Sequence, residues 1–164
     1  MTIDVAPGSH HGLITSHLIR LIEAHSDPLA NGLLQRIRSS MRCKDLLEKV
    51  PEEELRQRVF EIYSNIGRWL ESASDSEIEV RYTKIGERRA SQGVPLSQVV
   101  LAILATKEQL WDYVDKESVF DRAFELYQIV GIFHHVGRFF DRAVYYASLG
   151  YERYYATRKK AVAA

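Results

Sequence analysis

Residues 123–155 read AFELYQIVGIFHHVGRFFDRAVYYASLGYERYY, and their apolar pattern is the clearest structural signal in the chain. Apolar residues recur here at alternating steps of four and three, which is the heptad spacing of a packed helix. No proline follows Pro95, so only glycines interrupt a helix predicted from Val119 to about Lys160. At 1.5 Å per residue this helix would be about 60 Å long. The row consists of Ala123, Leu126, Val130, Phe133, Gly137, Phe140, Val144, Ala147, Tyr151 and Tyr154.

A second apolar row lies beside the first on the same helix, and it consists of Ile129, Ile132, Val136, Phe139, Ala143 and Tyr146. One row can pack on the domain itself and the other on a second molecule, which predicts a homodimer. The alternative is that both rows belong to one intramolecular core. Beyond Gly150 little of the domain is left to cover the tyrosines, which favours the partner there. The predicted dimer interface comprises Phe140, Val144, Ala147, Tyr151 and Tyr154.

Helix start signals precede the long helix. Asp27 can cap a helix in whose first turn Pro28 fits, and Pro51 with the following acidic cluster begins another that runs to about Ser72. Residues 74–77 have the Ser-x-x-Glu form of a capping box. The sequence therefore predicts an all-α single domain of about six helices, such as a helical bundle, with a very long C-terminal helix.

Composition limits the classes of function. The 164 residues are 46% apolar, enough for one core, and 22 Lys and Arg balance 22 Asp and Glu, so no basic field attracts nucleic acid. The N-terminus lacks a signal-peptide pattern and no apolar run is long enough to span a membrane, which predicts a cytoplasmic protein. We interpret residues 1–8 as a disordered leader, 9–160 as the helical domain and 161–164 as a tail.

No arrangement of residues indicates catalysis. His134 and His135 would point about 100 degrees apart on a helix and cannot share one metal ion. Cys43 is the only cysteine and has no catalytic partner in sequence, so we interpret it as structural. We predict that the protein is not an enzyme, with no catalytic residues, no metal ligands and no cofactor.

A short segment carries a family resemblance. Residues 81–97 read RYTKIGERRASQGVPLS, where Gly93 permits a left-handed helix end and Pro95 starts the next helix. This segment resembles the N-terminal sensory domains of RsbT co-antagonist proteins, the RsbRD N-terminal-like family, and the likeness extends loosely over residues 15–155. The resemblance implies a bacterial sensory or regulatory domain that acts on an output module, such as a STAS domain, a histidine kinase or a transcriptional activator.

The same segment is similar to the haem-proximal region of globin-coupled sensors. Ile85, Gly86 and Gly93 match that pattern, but Arg89 occupies the place of the haem-binding histidine. Arginine has no lone pair to offer to iron. The likeness therefore implies a non-haem globin-like sensor, as in stressosome proteins.

These features lead to two hypotheses. The first is a non-enzymatic sensory domain that forms a homodimer through its last helix. It relays a signal through the packing of that helix to a partner or output protein of STAS or kinase type, in cis or in trans. The alternative is a helical protein that binds a small ligand or cofactor. Its candidate pocket residues are Tyr82, Arg89, Trp111, Phe133 and His134.

Overall fold

A computed structural model describes residues 11–71, 73–117 and 123–163, with side chains described from residue 17 and, in the last range, from residue 129. The predicted leader and the predicted start of the long helix lie outside these ranges. Within them the chain is all-α and contains no strand. The helices are α1 (His11–Ala24), α2 (Ser26–Arg38), α3 (Lys44–Lys49), α4 (Glu52–Ser64), α5 (Ile66–Glu71), α6 (Asp75–Ser91), α7 (Leu96–Glu117) and α8 (Ala123–Ala163), with a 3-10 turn at Met41–Cys43.

The six predicted helices correspond to the longer elements, and two short helices are additional. The helix predicted from Pro51 to about Ser72 is divided at Asn65 into α4 and α5. Asn65 donates its side-chain amide to the carbonyl of Glu61 at 3.0 Å, and this competes with continuation of the helix. The short helix α3 follows the 3-10 turn and packs on α7.

Three of the predicted helix-end signals are confirmed and one is wrong. Helix α4 begins directly after Pro51 and has the acidic cluster in its first turn. Ser74 Oγ accepts a hydrogen bond from Glu77 N, and Ser74 N donates to the Glu77 carboxylate, which completes the capping box of α6. Gly93 has a φ of 70°, the left-handed conformation that glycine adopts without strain. Asp27, however, does not cap α2, because the helix already begins at Ser26. Asp27 instead forms an ion pair with Arg56 of α4.

Helix α8 continues through all three of its glycines and contacts α1, α5, α6 and α7. The described part of its second apolar row is intramolecular: Ile129, Ile132, Val136, Phe139 and Ala143 are buried, and Tyr146 is half-buried. The first row is divided. Phe140 and Ala147 are buried within the chain, whereas Val130 and Phe133 are exposed.

The most extensive helix pair in the described chain is α6 with α8. Two glycines permit this packing. A Cβ atom on Gly86 would lie 1.9 Å from the carbonyl oxygen of Ala147, and one on Gly150 would lie 2.1 Å from the carbonyl oxygen of Thr83. The two backbones are therefore in direct contact at both points, and no side chain larger than hydrogen fits between them.

Candidate functional site

A half-open cavity of about 70 Å³ lies between α2, α3, α4, α6 and α7, and Phe140 of α8 also lines it. Its wall is mostly aliphatic. The polar side chains that reach it are Arg58 of α4, Tyr82 and Arg89 of α6, and Thr106 of α7. The cavity is thus an apolar space with a small polar region, which is the usual composition of a small-molecule site.

Tyr82 is the most unusual of these polar residues. Its side chain is only 2% exposed, and its hydroxyl has no hydrogen-bond partner among the described residues. The buried hydroxyl of Tyr63, by contrast, donates to the carbonyl of Thr106 at 2.7 Å. Burial raises the pKa of Tyr82, and the charge of Arg81, a polar side-chain interaction with Arg81 and the charge of Arg58 oppose that rise. The Tyr82 hydroxyl is therefore neutral, and no described group accepts a hydrogen bond from it.

Arg89, which lines the cavity two helical turns after Tyr82 on α6, belongs to an ion-pair network. Its side chain is 5% exposed, and Nη1 lies 2.7 Å from Glu54 Oε1 and 2.7 Å from Gln92 Oε1. Glu54 also accepts two hydrogen bonds of 2.8 Å from the guanidinium of Arg88. Burial lowers the pKa of Arg89 and the adjacent Glu54 opposes that fall. The guanidinium therefore has an acidic partner within the chain.

A surface groove of about 460 Å³ adjoins the cavity between α4, α5 and α6. Arg58 and Ile85 line both spaces, so these two side chains separate the groove from the cavity. The other residues that line the groove are Trp69, Ser76, Glu77, Val80, Arg81, Lys84 and Arg88. Basic side chains outnumber acidic ones here, which gives the groove a positive character.

The predicted pocket residues do not form one site. Tyr82 and Arg89 line the same cavity. Trp111 and Phe133 instead stack on each other, with ring centroids 3.7 Å apart and an angle of 12° between the rings, and neither lines the cavity. His134 is exposed, and its ring lies 6.0 Å from that of His135.

Sequence analysis missed Arg58, Glu54, Trp69 and Arg81 as residues of the site. One signal for Arg58 was present, because it follows Leu55 by three positions and precedes Val59, so it lies on the apolar face of α4. A charged residue at such a register position has to reach either solvent or a partner.

The predicted dimer residues differ in accessibility. Phe140 is 1% exposed and Ala147 is 0% exposed within the chain. The hydroxyl of Tyr151 donates to the carbonyl of Val94 at 2.7 Å. Val144 and Tyr154 are half-buried and keep part of their surface available. The homodimer stays a prediction, and its surface on α8 has to exclude the two buried residues.

Metal and membrane sites receive no support in the residues that the structure describes. No group of three or more His, Cys, Asp or Glu side chains is placed to hold a metal ion among them. None of the helices in the described ranges is long and apolar enough to cross a membrane.

Cys43 is buried, and burial raises the pKa of its thiol while a hydrogen bond with Ser40 opposes the rise.

Comparison with known proteins identifies a family. The family model described as the RsbT co-antagonist protein rsbRD N-terminal domain matches residues 27–160, which include the cavity, the groove and most of α8. No curated protein and no solved structure matches the chain.

Proposed function

Because the chain belongs to the family of RsbT co-antagonist protein rsbRD N-terminal domains, we propose that it is a non-enzymatic sensory domain that relays a signal through α8 to an output protein. Family membership indicates a sensory or regulatory role in stressosome-type signalling. The finer elements of the proposal are the relay through helix packing, a partner of STAS or kinase type, and a cytoplasmic location. The relay is supported by the features below, whereas the type of partner and the location are proposed from family membership.

The observation that carries this proposal is the contact between the backbones of α6 and α8. One face of α6 presents Tyr82 and Arg89 to the cavity. Gly86 lies on the same side of α6, about 40 degrees from Tyr82, and there the backbone of α6 touches that of α8 beside Gly150 with no intervening side chain. Packed interfaces transmit displacement because they have little free volume. A shift of α6 at the cavity therefore has to move α8 or break the contact.

The distal end of α8 offers a surface for an output protein. After Tyr151 all residues through Ala163 are exposed, apart from the half-buried Tyr154. This segment is about 18 Å long at 1.5 Å per residue. A displacement of α8 where it meets α6 would be carried to this end, because a continuous helix is stiff.

The relay can be tested with a distance measurement between the domain and the distal end of α8. We expect Ile85→Ala, which removes a side chain from the cavity wall on α6, to shift the distance between spin labels at Gln57 and Lys159 by about 2 Å. Double electron–electron resonance would report this distance, with excess unlabelled protein present to dilute pairs between molecules. Both labelled positions are exposed.

Leu47→Ala provides the matched control, because Leu47 also packs against the core but lies on α3 rather than α6. It is expected to leave the distance unchanged. An unchanged distance in a folded Ile85→Ala protein would contradict the relay.

The homodimer is proposed to form through an outer strip on α8, which we define as Val130, Phe133, Val144 and Tyr155. These residues fall within about 60 degrees on a helix with 3.6 residues per turn. They are exposed, apart from the half-buried Val144. An exposed row of this kind on one helix is typical of a helix–helix interface.

Val130→Lys is expected to weaken the dimer at least about tenfold, because it would bury an unpaired charge in the interface. Val130 is 60% exposed in the single chain, so the substitution should not affect folding. Sedimentation equilibrium would measure the dissociation constant. Met41→Lys is the control, since Met41 is exposed on the 3-10 turn that packs on α2, α3 and α7. A monomeric wild-type protein, or an equal effect of both substitutions, would refute this interface.

A second candidate function is the binding of a small ligand. It is favoured by Tyr82, whose side chain lines the cavity and whose buried hydroxyl has no hydrogen-bond partner among the described residues. The two functions are compatible, because a sensory domain needs a ligand or another physical signal to shift its equilibrium.

A further inference from the structure

The cavity and the groove have complementary character and a shared wall. The cavity is lined mainly by aliphatic side chains, whereas the groove carries the basic residues Arg81, Lys84 and Arg88. Arg58 and Ile85 belong to both spaces. A rotamer change of these two side chains would join an apolar space to a positively charged one.

Three buried hydrogen-bond donors lie near this shared wall without an acceptor. Trp69 Nε1, Arg81 Nε and Tyr82 Oη have no hydrogen-bond partner among the described residues. The three are neighbours, because the Arg81 guanidinium lies 5.0 Å from the Trp69 ring centroid, and the Trp69 and Tyr82 rings both contact Phe139. Indole and guanidinium N–H groups can only donate. An unpaired buried donor destabilises the fold, and an added acceptor would remove that cost.

Positive charge is also available at the wall that Arg58 and Ile85 form between the cavity and the groove, which we call the junction. Among the described residues no carboxylate lies within ion-pair distance of Arg58 or Lys84, whereas Arg81 pairs with Glu61 and Arg88 with Glu54, each at 2.8 Å. Glu61 also interacts electrostatically with Arg58 over a longer distance. Glu77 also lines the groove, but it pairs with Arg68. The junction therefore has an excess of donors and of positive charge, and the group that would complement both is an anion with acceptor oxygens.

The cavity limits the size of the apolar part of such a ligand. Its volume of about 70 Å³ is roughly half that of an engineered apolar cavity of about 150 Å³ that binds benzene. It would therefore hold roughly three or four carbon atoms. An inorganic anion would leave the cavity unfilled, and a long-chain acid would exceed it.

We propose that the cavity and the groove together bind a short aliphatic carboxylate, with its chain in the cavity and its carboxylate at the junction beside Arg58 and Tyr82. The inference deepens the proposed sensory function, since it names the class of ligand that would be sensed. Entry of the chain would displace Ile85 of α6, the helix whose backbone touches α8. Binding and relay are nevertheless separate events and can be measured separately.

The test is a titration of the full chain with 3-methylbutanoate, followed by amide chemical shifts in NMR spectra. The expected result is saturable shifts in residues around the cavity. The neutral analogue 3-methylbutanamide and the chainless anion acetate should each bind at least about tenfold more weakly, because each lacks one half of the complementarity. Absence of saturable shifts, or equal binding of all three compounds, would overturn the proposal.

Two variants locate the site. Arg58→Gln is expected to weaken binding of 3-methylbutanoate about tenfold through loss of a charged hydrogen bond. Tyr82→Phe is expected to weaken binding severalfold without lowering thermal stability, because the lost hydroxyl has no partner in the unliganded chain. Arg42→Gln, at an exposed arginine on the 3-10 turn, should bind like the wild type. Wild-type affinity in both site variants would refute the assignment. The spin-label distance described above tests the relay without any ligand, so either idea can fail alone.

Discussion

Gly86→Ala and Gly150→Ala are each expected to lower the free energy of unfolding by about 3 kcal/mol, the upper end of the usual cost of overpacking. An added methyl group would lie 1.9 Å from a backbone oxygen at Gly86 and 2.1 Å from one at Gly150. Backbone cannot move aside as a flexible side chain can, so α6 and α8 would have to separate. Urea unfolding followed by circular dichroism would measure the loss.

Gly131→Ala is the matched control on the same helix as Gly150. A Cβ atom at Gly131 would meet nothing within 4 Å, so only the helix preference of alanine acts there. That preference should raise the stability by up to about 1 kcal/mol. The prediction would be wrong if Gly86→Ala or Gly150→Ala proved as stable as Gly131→Ala.

Glu54→Ala is expected to lower the free energy of unfolding by about 3 kcal/mol, because it leaves the buried guanidinium of Arg89 without its carboxylate. Combining Glu54→Leu with Arg89→Met should restore most of this loss, since an apolar pair of similar volume needs no ion partner. Arg88→Gln is the control and should have a small effect, because Arg88 lies at the surface. A double variant as unstable as Glu54→Ala would contradict this account.

The same ion pair should appear in the pH dependence of stability. Hydrogen bonds from Arg88, and then those from Arg89, lower the pKa of Glu54 from 4.5 to about 2. A lowered carboxyl pKa stabilises the fold fully above the unfolded pKa, and this contribution is lost as the pH falls through the folded pKa. The difference in unfolding free energy between wild type and Glu54→Gln should therefore be constant above about pH 5 and shrink toward pH 2. A difference independent of pH would exclude Glu54 as the titrating group.

Local signals in the sequence were sufficient for the longer helices and several of their ends, but not for the short helices α3 and α5. The capping box at Ser74 and the left-handed Gly93 involve residues three or four positions apart, so their geometry is contained in one short segment. The end of α4 at Asn65 was missed because an asparagine inside an apolar helical pattern does not by itself show whether its amide will bond to solvent or to the backbone.

The candidate site was predicted only in part. Tyr82 and Arg89 were named from one segment, and they do line one cavity. Trp111, Phe133 and His134 were grouped with them by residue type alone, and they lie elsewhere. Arg58 was overlooked, although a charge on the apolar face of α4 indicates a buried or lining role.

The amino-acid pattern alone established an all-α chain with a very long C-terminal helix, because helical periodicity and helix caps depend on neighbours in sequence. It also supplied the residues of the family resemblance. The tertiary structure was needed to show which row of α8 faces the core, why Gly86 and Gly150 are glycines, and which polar atoms lack a partner. These features depend on how α4, α6 and α8 approach one another, and the residues concerned are tens of positions apart in the chain. Side-chain spacing along one helix carries no information on that approach.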